Sequence, residues 1–404
     1  MTYSRPLKPK FFPDNINAMK LHGQAKSTTL THRVGSYNTG YDIYDLFDLQ
    51  PFNVTSLDTG SSATHILIGI DLGTSAFDTD YFLLMNHNLF TAEATIRVAH
   101  DTSAITAVGG GTTVAVSSST VVLNGEAEPD TGETINATIN DSQTNITVTD
   151  ATKFTVGELI RVSGGSGNET MKVTVVSHPT LTCTRAQQGS SATEFEAGDS
   201  IRRYRCVSPL ADGDTLFSFT SSSDRYWAIE IIPNDGLFSA TDITMGAALL
   251  GEAYTMPLAP DIMVPHTFNM SGVSVATGTS GKRFSSPAWV KANASTAAAG
   301  NYIPFRSGIG AQQIPGREGY SFSFQYIADT NLLPENLGAP SGNNFAVNVF
   351  AKTGWQAMPF AMTIDSASTS AGDFMFCRLV GDSYSITQQA YQVYSMGFSV
   401  DQEF

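Results

Sequence analysis

The stretch Ser142-Gln-Thr-Asn-Ile-Thr-Val-Thr-Asp-Ala-Thr-Lys-Phe154, followed by Val156-Gly-Glu-Leu-Ile-Arg-Val162, decides the fold class. After a Gly/Ser turn come Glu169-Thr-Met-Lys-Val-Thr-Val-Val176 and Leu181-Thr-Cys-Thr-Arg-Ala-Gln-Gln-Gly189, and Glu196-Ala-Gly-Asp-Ser-Ile201 closes the stretch. Each piece is a short run of alternating apolar and polar residues bounded by Gly, Ser, Asn or Asp. That pattern predicts a small antiparallel barrel or sandwich.

Strand signals continue on both sides. Ile66-Leu-Ile-Gly-Ile-Asp-Leu72 is a continuous apolar run, followed by Tyr81-Phe-Leu-Leu-Met85 and Thr95-Ile-Arg-Val98. Beyond the module come Leu216-Phe-Ser-Phe219, Tyr226-Trp-Ala-Ile-Glu-Ile-Ile232 and Ile243-Thr-Met-Gly-Ala-Ala-Leu-Leu-Gly251. Residues 36–104 plus 203–252 therefore read as one β-sandwich split by an insertion at 105–202. Long insertions in loops carry little thermodynamic cost. Gly109-Gly-Gly111 and the acidic segment 125–132 read as flexible connections, and 112–123 as an added hairpin. Residues 253–404 read as a third, antiparallel β domain. Its strand candidates are Tyr320–Tyr326, Phe345–Phe350, Phe360–Ile364, Phe374–Leu379 and Tyr391–Val400. Helix is expected only near 14–20 and 329–336. The fold class is all-β and multi-domain.

Two resemblances follow from these residues. The 142–204 stretch, with its Arg185-to-Gly189 turn and Gly198-Asp199, resembles a module recurrent in structural proteins of tailed bacteriophages. Met85-Asn-His-Asn-Leu89, Ala94-Thr-Ile-Arg-Val98, Arg225-Tyr-Trp-Ala-Ile-Glu-Ile231 and Ile243 to Gly251 resemble, in order, the galactose-binding-like jelly roll of many phage tail proteins. The C-terminal region is similar to that of distal-tail and baseplate-hub proteins through Pro359-Phe360, Asp365, Phe374 to Leu379, Gln389 to Tyr394 and Glu403. It departs from that pattern at Gln392, where an Asn is usual. These resemblances imply a virion structural protein of the tail, made in the bacterial cytoplasm.

Composition narrows the function classes. The chain has 404 residues, long enough for two or three domains. Charged residues make up 15%, below the ~25% of ordinary soluble domains. Low charge suits surfaces buried between subunits. The formal net charge of −15 argues against nucleic-acid binding. Residues 1–35 form a basic arm, with Arg5, Lys8, Lys10, Lys20, Lys26 and Arg33 against Asp14 alone. Phe11 and Phe12 give the arm apolar anchors, so it is expected to dock on its own body or on an acidic neighbour. Cys183, Cys206 and Cys377 make neither a disulfide framework nor a zinc site and are expected as buried thiols. No signal peptide and no ~20-residue apolar run is present, so no membrane insertion is expected.

Candidate sites are few. Asn86-His87-Asn88 has the chemistry to hydrogen-bond a sugar, with Tyr226 or Trp227 as a stacking platform. The alternative is a turn in which Asn adopts a left-handed backbone and His caps neighbouring groups. Asp42, Asp45 and Asp48 lack the spacing of a calcium loop. No nucleophile elbow, zinc-protease helix or phosphate loop is present. Hence no catalytic residue, metal or cofactor is expected. Assembly into a homo-oligomeric ring of three or six copies is expected through sheet edges and apolar patches. The arm (Arg5, Lys8, Lys10, Phe11, Phe12, Lys20) would supply contacts, and the insertion would project outward. Other tail or baseplate proteins and a host surface glycan are the expected partners. The alternatives are a carbohydrate-binding adhesin at the tail tip or fibre, or a capsid or neck decoration protein. A buried Trp227 would count against the adhesin.

Overall fold

Strand Ile66–Asp71 shows how the first unit is built. In the computed structural model it lies between strands Thr29–Val34 and Tyr226–Pro233, and the antiparallel sheet continues through Ala94–Asp101, Val207–Pro209 and Gly125–Ala127. Ile66, Ile68 and Ile70 point into the main core, while Leu67 on the other face packs with Ala99, Ala228 and Ile105. Burial on both faces explains why this strand reads as an unbroken apolar run. The structure describes residues 7–21, 29–59, 65–73, 78–240, 242–269, 273–277, 279–287, 305, 317–334 and 342–403.

A second sheet, ordered Ala247–Gly251, Thr79–His87, Gly213–Ser222, Val121–Leu123, packs on the first. Phe82, Leu84, Phe217, Phe219, Ala248 and Leu250 meet Ile96, Val98, Trp227, Ile229 and Ile231 in one core. Each large side chain so buried contributes about 1.5–3 kcal/mol. The architecture is an all-β sandwich.

The expected hairpin at 112–123 does not form. Thr112–Thr113 pairs with the Ala94–Asp101 strand, and Val121–Leu123 pairs with Gly213–Ser222 in the opposite sheet. Gly125–Ala127, read as a flexible connection, pairs with Val207–Pro209. These residues thus complete the sandwich, and the inserted body begins near Asp130. Local β propensity was legible there, but sheet membership depends on distant partners.

The inserted body is a six-stranded antiparallel sheet ordered Asp130–Thr134, Ser200–Arg203, Leu159–Gly164, Gly167–Ser177, Thr180–Thr184, Asn145–Thr147. Its two ends curl together. Asn136 N donates to Thr147 O at 2.8 Å, and the Glu133 carboxylate accepts from Thr149 N and Asp150 N. Ile135, Ile146, Ile160, Val162, Met171, Val173, Leu181, Phe195 and Ile201 fill the interior. Arg185 holds the loops. Its guanidinium forks onto Glu169 at 2.7 and 2.6 Å and also donates to the carbonyls of Asn140, Gln143 and Thr193.

Buried and part-buried polar contacts fasten this body to the sandwich. Arg203 donates to the module's own Glu158 carboxylate and Lys153 carbonyl and links them to the carbonyl of Asn234 of the sandwich. Gln188 Nε2 donates to Gly111 O at 2.8 Å while its Oε1 accepts from Thr113 N at 2.9 Å. Lys172 Nζ donates to Val108 O, and His65 Nε2 meets Thr155 Oγ1. The module is seated on the sandwich by these bonds rather than hung on flexible connections.

The C-terminal unit joins Ala253–Phe404 with the segment up to Asp14. Its seven-stranded sheet is ordered Tyr254–Thr255, Lys10–Phe12, Phe360–Thr363, Phe374–Ala390, Val393–Gln402, Arg317–Ala328, His266–Asn269. The expectation of one arm over 1–35 is divided by the structure. Lys10–Phe12 is a strand of this sheet, whereas helix Asn15–Leu21 and strand Thr29–Val34 belong to the first unit. Phe345–Phe350, read as a strand, is instead part of a wide helix at Ala346–Ala351. Asn344 Oδ1 accepts from Val347 N at its start. The wide turn brings Phe345 and Phe350, five apart, to 4.5 Å between ring centroids.

Candidate functional site

Asn86, His87 and Asn88 end the Thr79–His87 strand, and their hydrogen bonds run inward. Asn86 has φ 50, its N donates to Asp214 Oδ1 at 3.0 Å and its Nδ2 to Pro51 O at 2.7 Å. His87 is buried. Its Nδ1 accepts from Leu89 N and its Nε2 meets Thr215 Oγ1 at 2.9 Å. Burial pushes its imidazole down to about 4. Asn88 Nδ2 donates to Asp242 O and its Oδ1 accepts from Thr244 N, both at 2.9 Å. The three side chains staple the strand end to neighbouring loops, the turn chemistry of the alternative reading.

Tyr226 and Trp227 stand elsewhere. Gly213 pairs with His87, and Ser222, at the other end of its strand, pairs with Thr79. Tyr226 follows that far end, so the nine-residue strand Thr79–His87, roughly 27 Å long, separates the two groups. The structure does not bring Asn86–Asn88 and Tyr226–Trp227 into one site. Trp227 is 1% exposed, packs against Phe219 and His100, and donates from Nε1 to Asp224 O at 2.8 Å. It is a core residue and offers no stacking face to a ligand.

Tyr226 is half-buried, and its surroundings were not legible in the sequence. The Arg225 guanidinium lies 4.9 Å from its ring centroid. Asp71 accepts from Arg225 Nε at 2.6 Å and Nη2 at 2.8 Å, and from Gly73 N at 2.8 Å. Partial burial would raise the Asp71 carboxyl, but these hydrogen bonds and the Arg225 charge hold it below the usual carboxylate range. Asp71 and Arg225 lie 154 residues apart in sequence, and only the pairing of Tyr226 with Asp71 across adjacent strands joins them.

The arm residues are placed as follows. Phe11 lies among Phe345, Phe360 and Phe398, with centroids 5.4, 5.9 and 5.7 Å away. Phe12 stacks on Phe374, and Lys10 Nζ lies 5.3 Å from the Phe12 ring centroid. Lys8 is exposed, and its carbonyl accepts from Ser366 N. Arg5 and the Lys20 side chain lie outside the described residues. Phe11 and Phe12 are thus buried within the chain itself, because strand pairing with residues 361–363 draws them into the C-terminal core.

Asp42 and Asp45 form a capping box on the short helix Ile43–Phe47, and Asp48 accepts from Gln50 N and Asn53 Nδ2. Among the described residues no group of three His, Cys, Asp or Glu is placed to hold a metal. Cys183, Cys206 and Cys377 are free and buried, and burial pushes the first two thiols up to about 12. Among the described residues no helix is long and apolar enough to cross a membrane.

No family model matches the chain, and no curated protein matches it. A solved structure to which it is similar is chitosan-binding module 1 of a chitosanase/glucanase from Paenibacillus sp. IK-5. The identity is 10% and the TM-score 0.23, over 56% of this chain and 96% of that module.

The geometry that remains for interaction lies at one end of the C-terminal sheet. There, among the described residues, three strands run on, with Ser385–Ala390 paired to 393–397 and that strand paired to 324–328. Strand Phe360–Thr363 reaches only Phe374–Cys377. Among the described residues nothing pairs with the outward edge of 385–390 or of 324–328. Tyr391 at the hairpin turn is 84% exposed and Tyr326 at a bulge is 71% exposed.

Proposed function

We propose that this chain is a non-enzymatic structural component of a tailed-phage virion, placed in the tail, whose copies join edge to edge into a closed ring. The observation that carries the reading is the three-stranded end of the C-terminal sheet, both of whose edges are unpaired among the described residues. Residues 383–400 contain no charged residue and no proline in a chain of net charge −15. Edge strands that must stay single are blunted by Lys, Pro, inward charges or bulges, and of these devices 324–328 and 385–390 carry only a bulge each. Two open edges on opposite sides of one sheet are complementary head to tail, and a head-to-tail contact closes into a ring when its rotation divides a full turn. The absence of charge also removes like-charge repulsion at the one place where acidic copies would meet.

The test is the solution mass and electron-microscope appearance of the full chain, beside a variant carrying Thr387→Lys and Gln389→Lys. Rings in the native chain and monomers in the variant are the expected result. A native chain that stays monomeric at all concentrations and salts, or a variant that assembles equally well, overturns the assembly reading. An antibody to the chain should decorate the tails of particles that carry it, and label found elsewhere would remove the tail assignment.

A further inference from the structure

We infer that the outer face of the larger sandwich sheet carries a shallow site for the terminal sugar ring of a glycan. The inference is independent of the assembly edges. Ala99, Ala228 and Gly69 lie in register across three adjacent strands. Ile105 covers the two alanines. Where the row reaches Gly69, the missing side chain leaves a cavity of about 240 Å³ between Thr31, Asp71, Ala104, Ile105 and Tyr226. Pockets for drug-sized ligands run to ~300–1,000 Å³, so this one fits a single ring.

The walls set the ligand chemistry. On one side, the Asp71–Arg225 fork is fixed by its two hydrogen bonds, by Gly73 N and by the Tyr226 ring. It presents remaining acceptor and donor positions side by side with no net charge. Two neighbouring hydroxyls satisfy such a pair, one donating to the carboxylate and one accepting from the guanidinium. Thr31 adds a hydroxyl. On the other side Ala104 and Ile105 offer only C–H surface. A ring with hydroxyls on one edge and C–H groups on a face matches both walls, and a charged ligand gains nothing from a neutral pair. The loop that follows strand Ala94–Asp101 supplies the apolar wall.

The test uses the full chain and methyl glycosides of glucose, galactose, mannose, rhamnose and N-acetylglucosamine, read by saturation-transfer NMR and titration. At least one glycoside is expected to bind. Tyr226→Ala, which removes a wall, and Ala104→Trp, which fills the cavity from an exposed rim position, are each expected to weaken it by about tenfold or more. Tyr391→Ser, at a hairpin turn of the C-terminal unit, is expected to leave it unchanged. Should none of the five glycosides bind the native chain, or should binding persist in a folded Ala104→Trp variant, the site is refuted. Ring formation is read separately on the same samples, so failure of this site and failure of the assembly reading are distinguishable.

Discussion

Arg97 and Glu230 face each other across adjacent strands, Nη1 to Oε1 at 2.6 Å, and both side chains are 1% exposed. Arg97 also donates to Thr113 Oγ1 and Gly110 O, and Glu230 Oε1 accepts from Gly109 N. The pair therefore holds the 109–111 turn against the sandwich, just ahead of strand Thr112–Thr113. Removing one partner strands a buried charge, which costs about 3–5 kcal/mol, whereas removing both costs less. Arg97→Met is expected to destabilise the first unit by that amount in urea unfolding, and Arg97→Met with Glu230→Leu to recover part of it. Single and double variants of equal stability would contradict the coupling.

The N-terminal strand is expected to be structural for the C-terminal unit. Phe11 is fully buried among three other phenylalanines. Phe11→Ala should cost about 3–5 kcal/mol. Deletion of residues 1–14 should abolish one calorimetric transition, because it removes both the ring and the strand between 254–255 and 360–363. A deleted chain that keeps all its transitions would show that the strand is dispensable.

Acid should weaken the first unit in a defined window. Burial lowers His87 to about 4, and burial together with the charges of Arg203, Arg97 and Lys172 lowers His65 to about 3. The unfolded imidazole titrates near 6.5. Below that pH the unfolded state binds more protons, so stability is intact above 6.5 and is lost as pH falls through 4 toward 3. For His87 the full effect is roughly 3 kcal/mol. Melting temperature plotted against pH should slope less between 6.5 and 4 in His87→Gln than in the native chain, and parallel slopes would count against the assignment.

Gly236 marks how closely the module approaches the sandwich. It has φ 74, and a Cβ there would overlap the Thr152 carbonyl oxygen of the module. Gly236→Ala should therefore cost on the order of 1–3 kcal/mol through backbone strain. Its signature should be faster proteolysis and amide exchange at the 150–157 contact, with the module's own core still protected. Unchanged exchange at that contact would mean that the backbone relaxes freely.

Local pattern determined much of this protein. Alternation with turn residues specified the module strands at 142–201, the aromatic strand at 320–326 and the all-β class, because period two is a property of consecutive residues. The lone Arg97 and lone Glu230 were visible as charges inside apolar runs, but their partnership required a register that puts residues 133 positions apart side by side. Phe345–Phe350 is apolar like a buried strand yet forms a helical turn, where the rings of residues five apart meet and Asn344 Oδ1 accepts from Val347 N. Asn86–Asn88 and Tyr226 looked like parts of one site, but strand length places them at opposite ends of the sandwich. The arm's phenylalanines were legible as anchors. What they anchor to was decided by pairing with a strand some 350 residues away. Backbone periodicity is written locally, whereas sheet order, burial of charge and the walls of a cavity arise only when distant strands are brought into register.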